Sequence, residues 1–154
     1  MIDINNESDH MVDEKRLVAL ARFALDALHI HPDAELSIVL VDEDTIAAYH
    51  EKFLSEPGPT DVLSFPMDEL TPPRPGAEPP LGVLGDIMLC PTVTDRQAAQ
   101  MGRSPIQEME HLLIHGLLHL LGFDHADPAD KAIMFSLNDQ LIQSWTQYRG
   151  KQVR

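Results

Sequence analysis

The stretch HGLLHLLGFDH, residues 115–125, constrains the local fold of this chain more than any other segment. Two histidines four residues apart, His115 and His119, project from one face of a helix about one turn apart. Gly122 tolerates a positive φ and can end that helix, so that the chain turns back and delivers His125. We therefore predict a helix, a sharp turn and a cluster of three imidazoles.

Three imidazoles at this spacing indicate a metal site. Neutral imidazole nitrogens favour Zn²⁺ without excluding other transition metals. Three of them leave one tetrahedral position open, which is typical of catalytic rather than structural zinc. A single histidine on an apolar helix is more often a packing residue, but three of the eight histidines fall within these eleven residues. The sequence predicts one zinc ion held by His115, His119 and His125.

Two other residues could join this site. His111 lies one helical turn before His115 on the same face. It is either a fourth ligand or a residue of the surrounding cleft, and we favour the cleft because four histidines would close the metal to water. Cys90 is the only cysteine and ends an apolar run, so we expect it to pack rather than to bind metal.

The spacing H-x-x-x-H-x-x-G-x-x-H is also that of a zinc-peptidase signature. Such peptidases need a glutamate directly after the first histidine as general base, and here that position is Gly116. Any catalytic base must therefore come from elsewhere. Asp124 and Asp86 are the candidates, since either could orient a histidine or the attacking water, although each also suits a turn or a cap.

Hydrophobic periodicity predicts an α+β fold of one domain, with a small mixed four-stranded sheet packed against about five helices. The last helix carries a core-facing stripe that begins at Ile133. Asp42 or Asp44 is expected to cap the second helix, and Thr92 or Thr94 the third. Residues 68–82 form a proline-rich loop and residues 149–154 a flexible basic tail. The predicted strands are 1–6, 35–41, 61–65 and 82–90, and the predicted helices are 13–28, 45–54, 92–101, 105–121 and 128–148.

Composition limits the class of partner. The chain has 25 acidic and 11 basic residues and a formal charge of −14. A surface this acidic argues against broad, non-specific binding of nucleic acid, although a metal ion or a local basic patch can supply positive charge at one site. The N-terminus has no signal-peptide pattern, and no apolar run approaches the roughly 18 residues of a membrane span. We expect a cytoplasmic protein without a membrane segment.

Three motifs together resemble the YbeY family of bacterial metal-dependent endoribonucleases. They are HGLLHLLGFDH, PTDVLSFPMDE at residues 59–69 and LGDIMLC at residues 84–90, and the similarity spans most of residues 35–147. The resemblance implies a compact α+β fold and one zinc bound by His115, His119 and His125. It further implies cleavage of single-stranded RNA in rRNA maturation, notably at the 3′ end of the small-subunit rRNA, and in ribosome quality control.

The sequence departs from this family at one position. Many members carry an arginine a few residues before the PT of the strand motif, where this chain has Leu54. His50 and Lys52 are nearby cations, but neither inherits the role by alignment. Besides the nuclease, two functions stay open: a non-enzymatic ribosome-assembly factor with structural zinc, which binds ribosomal or small-subunit proteins, and a zinc peptidase.

Overall fold

The structure is a computed structural model that describes residues 1–153, with the side chains of residues 1–151. It contains four strands and five helices in one α+β unit, as the sequence predicts. In chain order these are β1 (Ile2–Asn6), α1 (Glu14–Ala27), β2 (Glu35–Leu40), α2 (Glu43–Leu54), β3 (Val62–Pro66), β4 (Val83–Leu89), α3 (Pro91–Met101), α4 (Pro105–Leu120) and α5 (Pro128–Val153).

The four strands form one mixed sheet in the order β1-β2-β4-β3. β1 and β4 both pair with β2 in parallel, whereas β3 runs antiparallel to β4. The register of that last pair sets Ser64 opposite Ile87 and Phe65 opposite Asp86. Because side chains alternate between the faces of a strand, Ser64 and Ile87 face one side of the sheet and Phe65 and Asp86 the other.

Helix α4 lies at the centre of the molecule and packs on α1, α3, α5, β3 and β4. Most of its residues are apolar, as expected for a helix that other elements surround on most sides. The principal core joins this helix to α1 and to one face of the sheet. Its fully buried members include Leu17, Leu20, Leu25, Leu36, Ile38, Leu40, Ile87, Leu89, Leu113, Ile114 and Leu117.

A smaller apolar cluster covers the opposite face of the sheet. It consists of Val41, Ile46, Leu63, Met88, Cys90 and Val93, with Val39 and Phe65 packed beside them. Helix α2 contributes Ile46 to this cluster and so lies on the sheet face away from α4. Cys90 is fully buried here, which agrees with the packing role expected from the sequence.

The structure confirms the cap predicted for α2 and contradicts the one predicted for α3. Asp42, not Asp44, caps α2: its carboxylate accepts from the Thr45 amide at 2.8 Å. The prediction that Thr92 or Thr94 caps α3 is wrong, because the helix already begins at Pro91, whose fixed φ suits the first helical position. The Thr94 hydroxyl instead donates to the Cys90 carbonyl at 3.0 Å from inside the helix.

The last helix is longer than predicted. It continues to Val153, so most of the residues assigned to a basic tail belong to α5, and Arg154 lies outside the described residues. Ile133 is 58% exposed, so the prediction that it begins the core-facing stripe is wrong, whereas Met134 is fully buried. A one-residue shift rotates a helical side chain by about 100°, which moves it off the buried face.

The proline-rich loop is tied to the sheet at its ends. The Asp68 carboxylate accepts from the Val83 amide at 2.7 Å, and the Met67 amide donates to the Leu84 carbonyl at 3.1 Å. Farther along, the His31 amide donates to the Pro80 carbonyl at 3.1 Å. Within the described residues, no helix combines the length and the hydropathy that crossing a membrane requires.

Candidate metal centre

Helix α4 is defined by local signals at both ends. Ser104 and Gln107 form a capping box at its start, and Pro105 occupies the first helical position. At its end, the Gly122 amide donates to the His119 carbonyl at 3.1 Å and the Phe123 amide to the Leu118 carbonyl at 3.0 Å. These two bonds are the Schellman pattern, which requires a positive φ at Gly122, and φ there is 93°. The chain therefore reverses directly after the second histidine.

The reversal brings three histidines together, as the spacing predicts. The ligand nitrogens of His115, His119 and His125 all lie within 4.8 Å of one another. The Nε2 atoms of His115 and His119 are 3.1 Å apart. Two nitrogens of a tetrahedral zinc site with bonds of about 2.05 Å are separated by roughly 3.3 Å. The two helical imidazoles are thus spaced as ligands of a single ion.

The turn also sets the tautomer of His119. Its Nδ1–H donates to the Phe123 carbonyl at 3.1 Å, which leaves Nε2 as the free lone pair. Metal-binding histidines commonly donate their other ring nitrogen to a carbonyl in this way. One segment, residues 119–123, therefore both ends the helix and orients the His119 ring.

Burial keeps the helical imidazoles neutral. Desolvation, followed by the neighbouring His119 and His125 rings, lowers the pKa of His115 to about 4. Desolvation and His125 also lower the pKa of His119, against opposing effects of the Phe123 carbonyl and the Asp124 carboxylate. A neutral imidazole has a free lone pair, so at pH 7 these two side chains can bind a cation without first losing a proton.

Gly116 marks the contact between α4 and the sheet. A Cβ atom at this position would lie 3.0 Å from Ile87 Cγ2, 3.1 Å from Ser64 Oγ and 3.2 Å from Val62 Cγ2. The Ser64 hydroxyl also donates to the Gly116 carbonyl at 3.0 Å. Residue 116 therefore faces β3 and β4 at close range, and the packing leaves no room for the glutamate of a zinc peptidase.

The two carboxylates singled out in the sequence are far from equivalent. Asp124 lies in the histidine cleft, where its Oδ1 accepts from the His125 amide at 2.7 Å. The structure does not bring Asp86 to the histidines, which contradicts the orienting role expected for it. Asp86 is exposed on the sheet face that α4 does not cover, because it alternates with Ile87, which faces the helix.

Asp61 is the acidic residue that sequence reasoning missed. It lies half-buried in the cleft beside His115, and its negative charge acts to raise the pKa of that histidine against the desolvation. Its Oδ1 accepts from the Val62 amide at 2.8 Å. Asp61 begins the strand motif DVLSF, but nothing in that pattern indicated that β3 passes next to α4.

The histidines open into a cleft of about 880 Å³. One wall comes from the end of α2 and from β3, and the other from α4 and the turn after it. The lining residues are Phe53, Leu54, Thr60, Asp61, Val62, Leu63, Ser64, Phe65, Pro66, His115, His119, Gly122, Phe123, Asp124 and His125. A second cavity of about 400 Å³ shares Asp61 and His115 with this cleft.

Comparison with known proteins assigns the family. The sequence model of the family described as "Endoribonuclease YbeY" matches residues 3–146. The chain belongs to the YbeY family. Its relatives include an endoribonuclease YbeY from Cutibacterium acnes, which is 64% identical over 149 residues and aligns over 97% of this chain and 96% of the relative. Another, from Thermobifida fusca, is 54% identical over 144 residues and aligns over 94% and 93%.

A solved structure shares the fold of this chain. The solution structure of TM1509 from Thermotoga maritima superposes with a TM-score of 0.65 at 28% sequence identity. The match covers 98% of this chain and 93% of that chain. The similarity to that structure therefore extends over nearly the whole fold.

Leu54, where the family resemblance led us to expect an arginine, lies at the edge of the histidine cleft and is 54% exposed. Neither nearby cation takes the place of that arginine in the cleft lining. His50 is largely buried, its Nδ1–H donates to the Gly58 carbonyl at 3.0 Å, and its Nε2 lies 3.1 Å from the Glu56 carboxylate. His50 thereby holds the turn between α2 and β3.

His111 lies outside the histidine cluster of this YbeY member. It borders the second cavity together with Arg103, Glu108 and Asn138. Desolvation, followed by the Arg103 charge, lowers the pKa of His111. This location agrees with the cleft role that we favoured over a fourth metal ligand.

Proposed function

We propose that this chain is a zinc-dependent endoribonuclease that cleaves single-stranded RNA in the maturation of rRNA, with the 3′ end of the small-subunit rRNA as its principal substrate and a further role in ribosome quality control. The observation that carries the proposal is the cluster of three histidine nitrogens within 4.8 Å, at the mouth of an open cleft. Membership of the YbeY family supports the reaction class. We place the activity in the cytoplasm, where rRNA is available.

Zinc is the proposed metal, and His115, His119 and His125 are its proposed ligands. The donor set is entirely imidazole nitrogen, two of the rings are held neutral by burial, and the His119 tautomer is set by the Phe123 carbonyl. This chemistry suits Zn²⁺. When bound at such a site, zinc acts as a Lewis acid on a phosphoryl oxygen and adds positive charge to an otherwise acidic surface.

We assign proton transfer to a carboxylate outside α4. Asp61 and Asp124 are the acidic residues that line the histidine cleft. Asp61 is half-buried next to His115, so we propose it as the proton acceptor. Asp124 is exposed and already accepts the His125 amide, so we propose that it positions the third ligand. In a D61N variant the metal should stay bound while cleavage falls.

The test compares the purified wild-type protein with a His119→Ala variant. We expect about one zinc per chain in the wild type by inductively coupled plasma mass spectrometry, and cleavage of a single-stranded fragment from the small-subunit rRNA 3′ end. The variant should lose both. An Asp26→Asn variant, changed at an exposed position of α1, is the matched control and should keep both. Cleavage by metal-free His119→Ala protein would refute the proposal.

One observation favours a second function. The formal charge of −14 suits binding to basic ribosomal proteins, as expected of a non-enzymatic assembly factor with structural zinc. Mapping of rRNA ends in cells depleted of the protein separates the two functions. Normal ends restored by the Asp61→Asn variant, which should keep the metal but not the cleavage activity, would favour the assembly factor, and unprocessed ends would favour the nuclease.

A further inference from the structure

Two exposed aromatic rings border the histidine cluster without belonging to the core. Phe53, near the end of α2, is 52% exposed and lines the same cleft as the three histidines. Phe135, on α5, is 43% exposed, and its ring centroid lies 6.1 Å from that of His115 and 6.2 Å from that of His125. Large exposed aromatic side chains next to a site commonly mark a binding surface.

The Phe53 ring is supported by two other aromatic side chains. Tyr49, one turn earlier on α2, stacks on it with a centroid distance of 5.8 Å and an interplanar angle of 15°. Phe65 of β3 contacts it edge-to-face, at 5.3 Å and 71°. These contacts hold the ring at the cleft wall, so little side-chain entropy remains to be lost when a ligand stacks on it.

The two rings belong to different cavities that meet at the histidines. Phe53 lines the cleft of about 880 Å³ and Phe135 the adjoining cavity of about 400 Å³. Asp61 and His115 border both cavities. A chain-like ligand that passes from one cavity to the other therefore crosses His115 between the two rings.

A lysine ammonium group also lies over each of the two rings. Lys52 Nζ lies 5.3 Å from the Phe53 centroid, and Lys131 Nζ lies 5.4 Å from the Phe135 centroid. Within residues 1–151, neither lysine forms an ion pair. In a chain with 25 acidic and 11 basic residues, two lysines at these rings put positive charge where it is otherwise scarce. A base that stacks on such a ring displaces the ammonium group from the ring face, and the flexible lysine can then pair with the nucleotide phosphate.

We infer that Phe53 and Phe135 are stacking platforms for two unpaired bases of an RNA strand, one on each side of the phosphate that lies at His115. This inference rests on the proposed nuclease function and adds a physical basis for its substrate class. Paired bases cover their faces by stacking within the duplex, so only an unpaired strand can offer them to both rings. The platforms thus select single-stranded RNA without a broad basic surface.

The test measures RNA binding separately from cleavage. We would titrate Phe53→Leu and Phe135→Leu into a fluorescein-labelled single-stranded oligoribonucleotide in the presence of a chelator, so that no cleavage occurs. Leucine keeps an apolar side chain but removes the aromatic face. The control is Tyr148→Leu, because Tyr148 is 45% exposed on the same helix as Phe135 but packs against Phe23 and Trp145 instead of the histidines.

We expect each phenylalanine variant to weaken RNA binding by about 5-fold to 100-fold, the range measured for loss of one base–aromatic stack, and Tyr148→Leu to bind like the wild type. An RNA with an abasic nucleotide at the contacted position should bind the wild type and the matching variant equally. A 2-aminopurine at that position should change in fluorescence when the wild type binds, because the base leaves its neighbours for the ring, and should change less when the matching variant binds.

Three results would overturn the inference. In the first, both phenylalanine variants bind RNA with wild-type affinity. In the second, each variant weakens binding by the same factor whichever nucleotide of the RNA is made abasic. In the third, Phe135→Leu protein loses its bound zinc while its RNA binding is unchanged. The last would mean that the ring only supports the histidines. A wild-type protein that binds RNA through both rings but cleaves nothing would refute the nuclease and leave the platforms standing.

Discussion

At the scale of single residues, Gly116 explains why the histidine motif lacks the peptidase glutamate. In the sequence, Gly116 is a glycine at the position where a zinc peptidase has its general base. In the folded chain this residue is the point where α4 lies closest to β3 and β4, with Ile87, Ser64 and Val62 within 3.2 Å of where a Cβ would be. The glycine thus sets the distance between helix and sheet, and with it the depth at which His115 lies.

A Gly116→Ala substitution should destabilise the protein. The added methyl group meets two branched side chains and a hydroxyl that already bonds the Gly116 carbonyl, so the helix must shift outward. Overpacking costs about 1–3 kcal/mol, and the better helix propensity of alanine returns up to about 1 kcal/mol. We expect a net loss of about 1–2 kcal/mol in the free energy of unfolding, measured by urea denaturation, together with weaker zinc binding.

Gly150 provides the matched control, since it is also helical but has nothing within 4 Å of its Cβ position. Gly150→Ala should therefore be neutral or stabilising by up to about 1 kcal/mol. If Gly116→Ala proved as stable as Gly150→Ala, the close contact between α4 and the sheet would be wrong.

At the scale of elements, α4 organises the molecule through one buried carboxylate as well as through its apolar faces. Glu110 is 4% exposed and accepts two hydrogen bonds from Arg16 of α1, from Nε at 3.0 Å and from Nη2 at 2.9 Å. It also accepts from the Trp145 indole of α5. Three helices are therefore joined at one side chain, five residues before His115, the first of the three clustered histidines.

Removing this charge should cost much more than removing an exposed one. In a Glu110→Gln variant the Arg16 guanidinium loses its charged partner in a largely buried position, which costs about 3 kcal/mol. The control is Asp26→Asn in the surface pair with Arg22, at 3.6 Å, for which we expect less than about 0.5 kcal/mol. Urea denaturation measures both, and equal losses would show that the buried network contributes no more than a surface pair.

At the scale of the whole molecule, the proposed metal site lies beside the core and not within it. The three histidines are half-buried or exposed, and the principal apolar core is complete without them. We therefore expect metal removal to lower stability while leaving the fold intact. The ion would cross-link α4 to the turn at His125, so its loss frees that turn alone.

Thermal unfolding with and without a chelator tests this expectation. Zinc at 100 times its dissociation constant adds about 2.7 kcal/mol, which for a chain of this size corresponds to roughly 5–10 °C in Tm. The far-UV circular dichroism of the metal-free protein should match that of the loaded protein, and a His125→Ala variant should show no zinc-dependent shift. Loss of the helical signal on chelation would mean that the metal is structural.

The parts of the fold that could be predicted depend on short-range interactions. Apolar periodicity, β-rich runs and the Pro, Gly and capping residues between them located all nine elements, because each of these signals acts between neighbours along the chain. The histidine cluster was equally local: the ligands, the helix end at Gly122 and the return to His125 lie within eleven residues. The ends of helices were predicted less accurately: the predicted end of α5 is Tyr148, and the helix continues to Val153.

The rest required the tertiary structure. By itself the sequence determined the α+β class, the histidine spacing and the turn after the helix, since each follows from neighbours along the chain. Only packing decided that Asp86 faces away from the histidines, that Asp61 lies beside them and that Phe53 and Phe135 border them. These placements depend on which face of the sheet α4 covers and on how α2, β3 and α5 pack around its histidines. Interactions between residues far apart in the chain set that choice, and no local pattern encodes it.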